Sequence, residues 1–272
     1  VVYDAMKVAL KVAYLGDRYY GFQRQPGLRT VESVIRDALL RIGIANGDFC
    51  YAGRTDRGVS ALGQVIDFWI DDDREHLASP RVINGFLPSD VWAWARAVAP
   101  VGFSARWSAL WREYRYFLFS PDIDLGAVRA AAEHLVGTHD FRNFSTSKVD
   151  TIRRIISIDV NERGGIIVFD IRADGFLWNM VRRIVGALEL IGIGEKPVGW
   201  IRELLDPSTP HGAPTAPPEG LMLMDVGYSD LEWVEDHYTK QRISRVLISE
   251  ARRRAAMSGV IQEMLWQMGC NL

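Results

Sequence analysis

The stretch GRTDRGVSALGQV, residues 53–65, decides how the chain is read. It joins CYAG at 50–53 to QVIDFWI at 64–70, two segments that both read as strands. Asp56 therefore sits in a loop at the mouth of a strand, crowded by Arg54, Thr55, Arg57 and Ser60, with Gly58 and Gly63 letting the backbone turn sharply. A loop held by a rigid scaffold is where chemistry is commonly placed. Taken alone, T-D-R-G reads as a turn, because an Asp shortly before a Gly usually serves only the bend. The rest of the chain has to carry any further meaning.

Upstream, Val8, Leu10, Val12 and Tyr14 alternate through 6–16, a half-buried strand. Thr30 then caps a helix in which Val31, Val34, Ile35, Ala38, Leu39 and Ile42 recur at helical spacing until Gly43. Downstream, Ser79-Pro80 opens a short helix that ends at Pro88. VWAWARAV at 91–98 alternates with Trp92 and Trp94 on one face, a cover for the sheet rather than a platform for bases. A strand starts near Trp111 and points Tyr114, Tyr116 and Leu118 one way. Asp124 caps a helix, and 151–162 with 166–173 form a hairpin about Arg163, Gly164 and Gly165. FLWNMVRRIVGALELIGIG, 176–194, is the longest apolar helix, and LMLMDVGY at 221–228 is the last strand, closing the core. Each half thus sets strands against long helices, which predicts a duplicated α+β lobe. The divisions are 6–104, 105–229 and a basic, amphipathic helical tail over 230–272. The tail is expected to pack on the body, with a dimer contact or RNA as its other uses.

Composition excludes several classes of function. No run of eighteen apolar residues occurs in the 272, and VVYDAMKVALKV is not a secretory leader, so a soluble, cytoplasmic protein is expected. No function attaches to the five residues before Met6. Cys50 and Cys270 are far apart and outside any metal-binding spacing, so neither a disulfide framework nor a metal site is expected. His76, His134, His139, His211 and His237 are scattered, which argues against a hydrolytic triad. No dinucleotide fingerprint or Walker loop is visible.

A net charge of −2 argues against a polyanion-binding protein. However, Arg54, Arg57, Arg106, Arg112, Arg115, Arg142, Lys148, Arg153, Arg154, Arg182 and Arg183 fall near the glycine loop and the segments beside it. The acid runs at 71–75 and 121–124 lie elsewhere, which leaves either a local basic cleft or a solvated face. Arg182 shares a stripe of its apolar helix with Asn179 and Glu189 and must reach solvent or an acid, either Glu189 or Asp56.

Six blocks, YYGFQRQ, GRTDRGVSALGQV, FSARWSALWREYRY, DFRNF, GFLWNMVRRIVG and PPEGL, resemble in order those of the tRNA pseudouridine synthase A (TruA) family across residues 6–228. The resemblance implies an α+β fold of two ferredoxin-like α/β lobes. Their strands form a continuous, mainly antiparallel central sheet with helices on one face and a catalytic cleft between the lobes. It also implies a homodimer that isomerises uridine to pseudouridine at positions 38, 39 and 40 of the tRNA anticodon stem-loop, with no cofactor and no metal. Asp56 matches the catalytic aspartate, Tyr114 the tyrosine under the target ring, and Arg182 the arginine that pairs with the aspartate. Arg54, Thr55 and Arg57 would contact the substrate, and Leu221 would form part of an apolar wall. Ser60 stands where many members carry His, and the tail after about Asp230 has no counterpart.

The implied reaction breaks the N1–C1′ bond, rotates the base and joins C5 to C1′ without redox change. It calls for an ionised carboxylate in a closed, dry pocket, with a cation such as Arg182 beside it. Tyr114 would offer a ring to stack on and a hydroxyl for proton transfer. A non-catalytic tRNA-binding protein on the same fold, or a synthase with another uridine target, is the alternative.

Overall fold

Alternation and caps place the elements of the first half. β1 (Ala5–Tyr14) leads to α1 (Val31–Ile42), β2 (Cys50–Tyr51), β3 (Ser60–Asp71), α2 (Pro80–Asn84) and β4 (Val91–Ala99). The second half runs through β5 (Trp111–Leu118), α3 (Leu125–Glu133), β6 (Gly137–Asp140), β7 (Ile152–Arg163), β8 (Ile166–Ala173), α4 (Met180–Gly192), α5 (Trp200–Leu205) and β9 (Leu221–Gly227). β10 (Val234–Glu235) and α6 (His237–Gln267) follow. This computed structural model describes residues 5–44, 49–147, 149–209 and 212–270; Lys148 and His211 lie outside the described residues.

The local signals act as the sequence implies. Thr30 and Ser33 form a reciprocal capping box on α1, which Gly43 ends with φ 84°. Ser79 and Asp124 cap α2 and α3. Gly164 and Gly165 take φ 59° and 80°, the pair of positive values that a two-residue hairpin turn requires.

Strands pair in the order β10-β4-β1-β3-β9-β5-β8-β7-β6, with β2 also beside β3. Within the first half the order is β4-β1-β3-β2, and within the second it is β9-β5-β8-β7. The same ferredoxin-like permutation therefore occurs twice, as expected for an α+β fold. Every pairing is antiparallel except β3 with β9, where Ser60 meets Met222 and Ala61 meets Leu223. That short parallel contact joins the two halves into one sheet. The side chains that alternate inward, such as Leu10, Phe68 and Phe169, form one core with Ile184, Val185 and Leu188 of α4. No helix among the described residues is long and apolar enough to cross a membrane.

Several expectations need correction. α4 starts at Met180 rather than 176, because Asn179 adopts a left-handed φ of 64° that an α-helix cannot continue through. α2 ends at Asn84, short of Pro88. β9 is not the last strand, since β10 follows it beside β4, and β9 lies in the middle of the sheet between β3 and β5. Of the tail helix only Thr239 and Ile243 are buried; Ile243 packs with Ala13 and Trp92, so the tryptophan face of β4 is covered by the start of α6.

Gly63 also has a different reason from the one its sequence context suggests. It lies inside β3, and a Cβ there would stand 2.5 Å from the Met224 carbonyl oxygen and 2.9 Å from the Asp225 Cα. The glycine allows β9 to approach; it does not make a turn. Gly63→Ala is expected to destabilise the fold by about 1–3 kcal/mol through overpacking at the join, read as a lower denaturant midpoint. An unchanged midpoint would mean that the two strands separate freely.

Burial is the main cause that raises the phenol pKa of Tyr14, Tyr19, Tyr114 and Tyr228, and it pushes Tyr116 up to about 12. Each keeps its proton in the folded protein at a pH where the unfolded chain has released it. The stability they contribute is therefore complete below the ordinary phenol pKa of about 10 and declines as pH rises above it. Urea unfolding from pH 8 to 11 is expected to show a midpoint that drops above pH 10; a flat profile would contradict this assignment.

Candidate active site

The Asp56 loop leads into β3. Gln64, fully buried, clamps its first residue by accepting from the Gly53 N–H at 3.3 Å and donating to the Gly53 carbonyl at 2.7 Å. Thr55 is buried, and its hydroxyl lies 2.7 Å from that of Tyr14, while its carbonyl accepts from the Phe22 N–H. The YYGFQRQ block thus supports the loop from behind. Its Gly21 has φ 94°, and a Cβ there would lie 3.0 Å from the Thr55 carbonyl oxygen.

Asp56 opens a turn closed by the Val59 N–H on its carbonyl at 3.1 Å, with Gly58 at φ 85°. The PPEG segment packs on this turn, since a Cβ on Gly58 would stand 3.3 Å from Pro218 Cγ. Ser60 accepts from the Gly16 N–H at 3.0 Å, so its hydroxyl ties the loop to the 3-10 turn at Gly16–Arg18.

The Asp56 carboxylate is engaged from the second half of the chain. Arg182 Nη1 lies 3.6 Å from Oδ2, and the Trp178 indole N–H donates to Oδ1 at 3.0 Å. Of the two acids open to Arg182, Asp56 is the one it reaches. The guanidinium is held in place by the Ala216 carbonyl, which Nε donates to at 2.7 Å, and by Asn179 Oδ1 at 3.1 Å. The left-handed Asn179 that delays α4 therefore has a use: it turns Trp178 back toward the loop and offers its own amide oxygen to Arg182.

Tyr114 projects from β5 with its ring edge-on to Phe176 at 5.0 Å. Its hydroxyl lies under the Gly53 end of the loop, 3.8 Å from where a Cβ would be. Burial first, then Tyr14 and the Asp56 carboxylate, push its pKa upward, so the hydroxyl holds its proton.

Not every expected residue lines the same opening. Arg57 is exposed and stacks on Tyr20 at 4.6 Å, and Arg54 is exposed with no ion pair among the described residues. Leu221 is 7% exposed and pairs with Tyr116 in the sheet, so it backs the site rather than forming an open wall. Among the described residues nothing closes the carboxylate off from solvent: the Asp56 side chain is 30% exposed and Trp178 is 64% exposed.

Of the two readings left open for the arginines, a local basic cleft or a solvated face, the ion pairs leave less free charge for a cleft. Arg115 pairs with Asp170 at 2.6 Å, Arg142 with Asp140 at 3.6 Å, and Arg153 with Asp150 at 3.5 Å. Arg112 donates to the carbonyls of Ala52, Arg106 and Asp174, and burial pushes its pKa down.

Sequence reasoning missed Trp178, Gln64 and Tyr14 as partners of the loop. The first two lay inside the quoted blocks, but the direction of a side chain needs the backbone turn or the strand register.

A family model described as tRNA pseudouridine synthase matches residues 131–229. The tRNA pseudouridine synthase A of Methanothrix thermoacetophila is 88% identical over 97% of this chain and 98% of its own length. That of Methanocella arvoryzae is 43% identical over 95% and 98%, and that of Thermococcus sibiricus 40% identical over 96% and 99%. With matches at this identity along nearly its whole length, the chain belongs to the tRNA pseudouridine synthase A family.

Proposed function

We infer that Asp56 is the carboxylate with which this tRNA-acting isomerase turns uridine into pseudouridine. The observation that carries the reading is that one partly exposed carboxylate, on a loop of residues 6–104, receives a guanidinium and an indole N–H from residues 105–229. A binding protein would need no such acid, cation and ring set. The target uridine leaves its stack to enter beside Asp56, as a base undergoing chemistry inside a folded RNA must. The ribose carbon becomes electron-poor as the N1–C1′ bond lengthens, and the negative charge of Asp56 faces it. Arg182 balances that charge while the site is open. The base then turns, C5 joins C1′, the C5 proton leaves and N1 gains one.

Tyr114 acts as a ring support and a hydrogen-bond donor, because a phenol that holds its proton is not a base. Asp56 is then the proton acceptor within the set. The rearrangement changes no oxidation state and draws on no redox cofactor. Arg54, Thr55 and Arg57 hold the flipped nucleotide, with Leu221 behind it. We assign the substrate to uridines 38, 39 and 40 of the anticodon stem-loop, and the working form to a cytoplasmic homodimer. A monomer by light scattering at working concentration would contradict the dimer.

Purified Asp56→Ala enzyme, incubated with tRNA and analysed by nucleoside mass spectrometry, is expected to lose roughly 10³-fold or more in activity, with its unfolding midpoint and tRNA affinity retained. Full activity would remove Asp56 from the mechanism. Wild type that binds tRNA and converts no uridine would support the binding-protein reading, and modification outside the anticodon arm would reassign the target.

Tyr114→Phe keeps the ring and loses the hydroxyl. It is expected to lower kcat by about 10²-fold while KM stays close to wild type. An unchanged kcat would confine Tyr114 to stacking.

A further inference from the structure

α6 is 31 residues long, yet its only buried residues, Thr239 and Ile243, lie in its first turns. It carries six basic side chains against two acidic ones, in a chain whose net charge is −2. Three of the six are already neutralised: Lys240 pairs with Glu235, and Arg253 and Arg254 both engage Glu250. Arg242, Arg245 and Arg252 are exposed and have no ion pair among the described residues. Their spacings of three and seven put them along one side of the helix. At 100° per residue, Arg245 and Arg252 stand roughly 160–180° around from the buried Ile243, and so face away from the body.

The helix is also anchored beside the catalytic turn. Arg254 Nη2 donates to Asp17 Oδ2 at 2.7 Å. Asp17 follows Gly16, whose N–H meets Ser60 and whose Cβ, if it had one, would lie 2.0 Å from the Val59 carbonyl oxygen. Val59 closes the turn that begins at Asp56. A tRNA with one nucleotide drawn in beside Asp56 carries its neighbouring phosphates past this region. Arg115, Arg142 and Arg153 of the second half are tied to acids and have less charge left for them.

We propose that the stripe Arg242, Arg245 and Arg252 on α6 holds the phosphate backbone of bound tRNA, away from the nucleotide at Asp56. The proposal rests on the tRNA-acting reading above. Unpaired arginines without an acid partner are the electrostatic footprint of a polyanion. A contact with α6 of a second copy suits them poorly, because that helix offers only Glu250, already engaged twice, and Glu263.

The test combines Arg242→Gln, Arg245→Gln and Arg252→Gln in the full chain and measures the Kd for a tRNA transcript between about 50 and 200 mM salt. The expected result is a Kd raised about tenfold or more at the lower salt. The slope of log Kd against log salt falls by about two, while kcat at saturating tRNA and the unfolding midpoint stay at wild-type values. Unchanged Kd and slope would overturn the proposal. So would an altered oligomeric state by light scattering that accounts for the affinity change, which would assign the stripe to a contact between copies. Repeating the titration in the Asp56→Ala background reads binding without turnover. A failure of the Asp56 reading shows there as residual activity and leaves the Kd comparison intact.

Discussion

Two register pairs of parallel strand, Ser60 with Met222 and Ala61 with Leu223, hold the rest of the molecule in its working arrangement. All other strand pairs are antiparallel and nearly all lie within one half, so without this contact the two halves would be separate sheets. The join is narrow because the same edge of β3 is shared: Cys50 and Tyr51 take its far end, opposite Asp67 and Ile66. Gly63, without a Cβ, lets the backbone of β9 come in close, and the Pro218–Gly220 segment leading into β9 then lies against the Asp56 turn. An acid from the first half and a cation from the second meet only because of this geometry. Arg182 and Asp56 are 126 positions apart by their numbers, and no local force would bring them together.

The ion pair itself is modest. At 3.6 Å, with the acid 30% exposed, it is partly screened by solvent and is a weak source of fold stability. Its value lies in placement. Arg182 is fixed by the Ala216 carbonyl and by Asn179, so the guanidinium is in position before substrate arrives. Trp178, by contrast, is 64% exposed, so its hold on Asp56 Oδ1 is a contact at the solvent boundary of the site.

Much of the fold was legible in the chain because its local signals agree with its global ones. The Thr30 cap, the Gly43 stop and the Gly164-Gly165 turn each act as their residue types dictate. What remained hidden depended on register or on one unusual dihedral. Asn179 at φ 64° shortened the apolar helix by several residues, and an asparagine in a favourable helical pattern gives no warning of it. The central place of β9 also could not be read, since a strand's position in the sequence does not fix its position in a sheet. At the site, the block GRTDRGVSALGQV marked the loop, and the apolar context of Arg182 marked an arginine in need of an acid. The arginines alone could not separate a basic cleft from a solvated face, because Arg115 faces Asp170 directly across β5 and β8, as Arg172, outside that group, faces Glu113. Only the register turns those positive charges into neutral pairs.

In the reading proposed above, a uridine of tRNA comes to the carboxylate that the two halves hold between them. The decisive measurement is a crystal structure of the Asp56→Asn enzyme with tRNA. The predicted result is an extruded uridine over Tyr114, with its ribose C1′ within about 3.5 Å of the residue 56 side chain. An RNA bound with every uridine stacked, or with its open nucleotide on another face of the protein, would contradict the account.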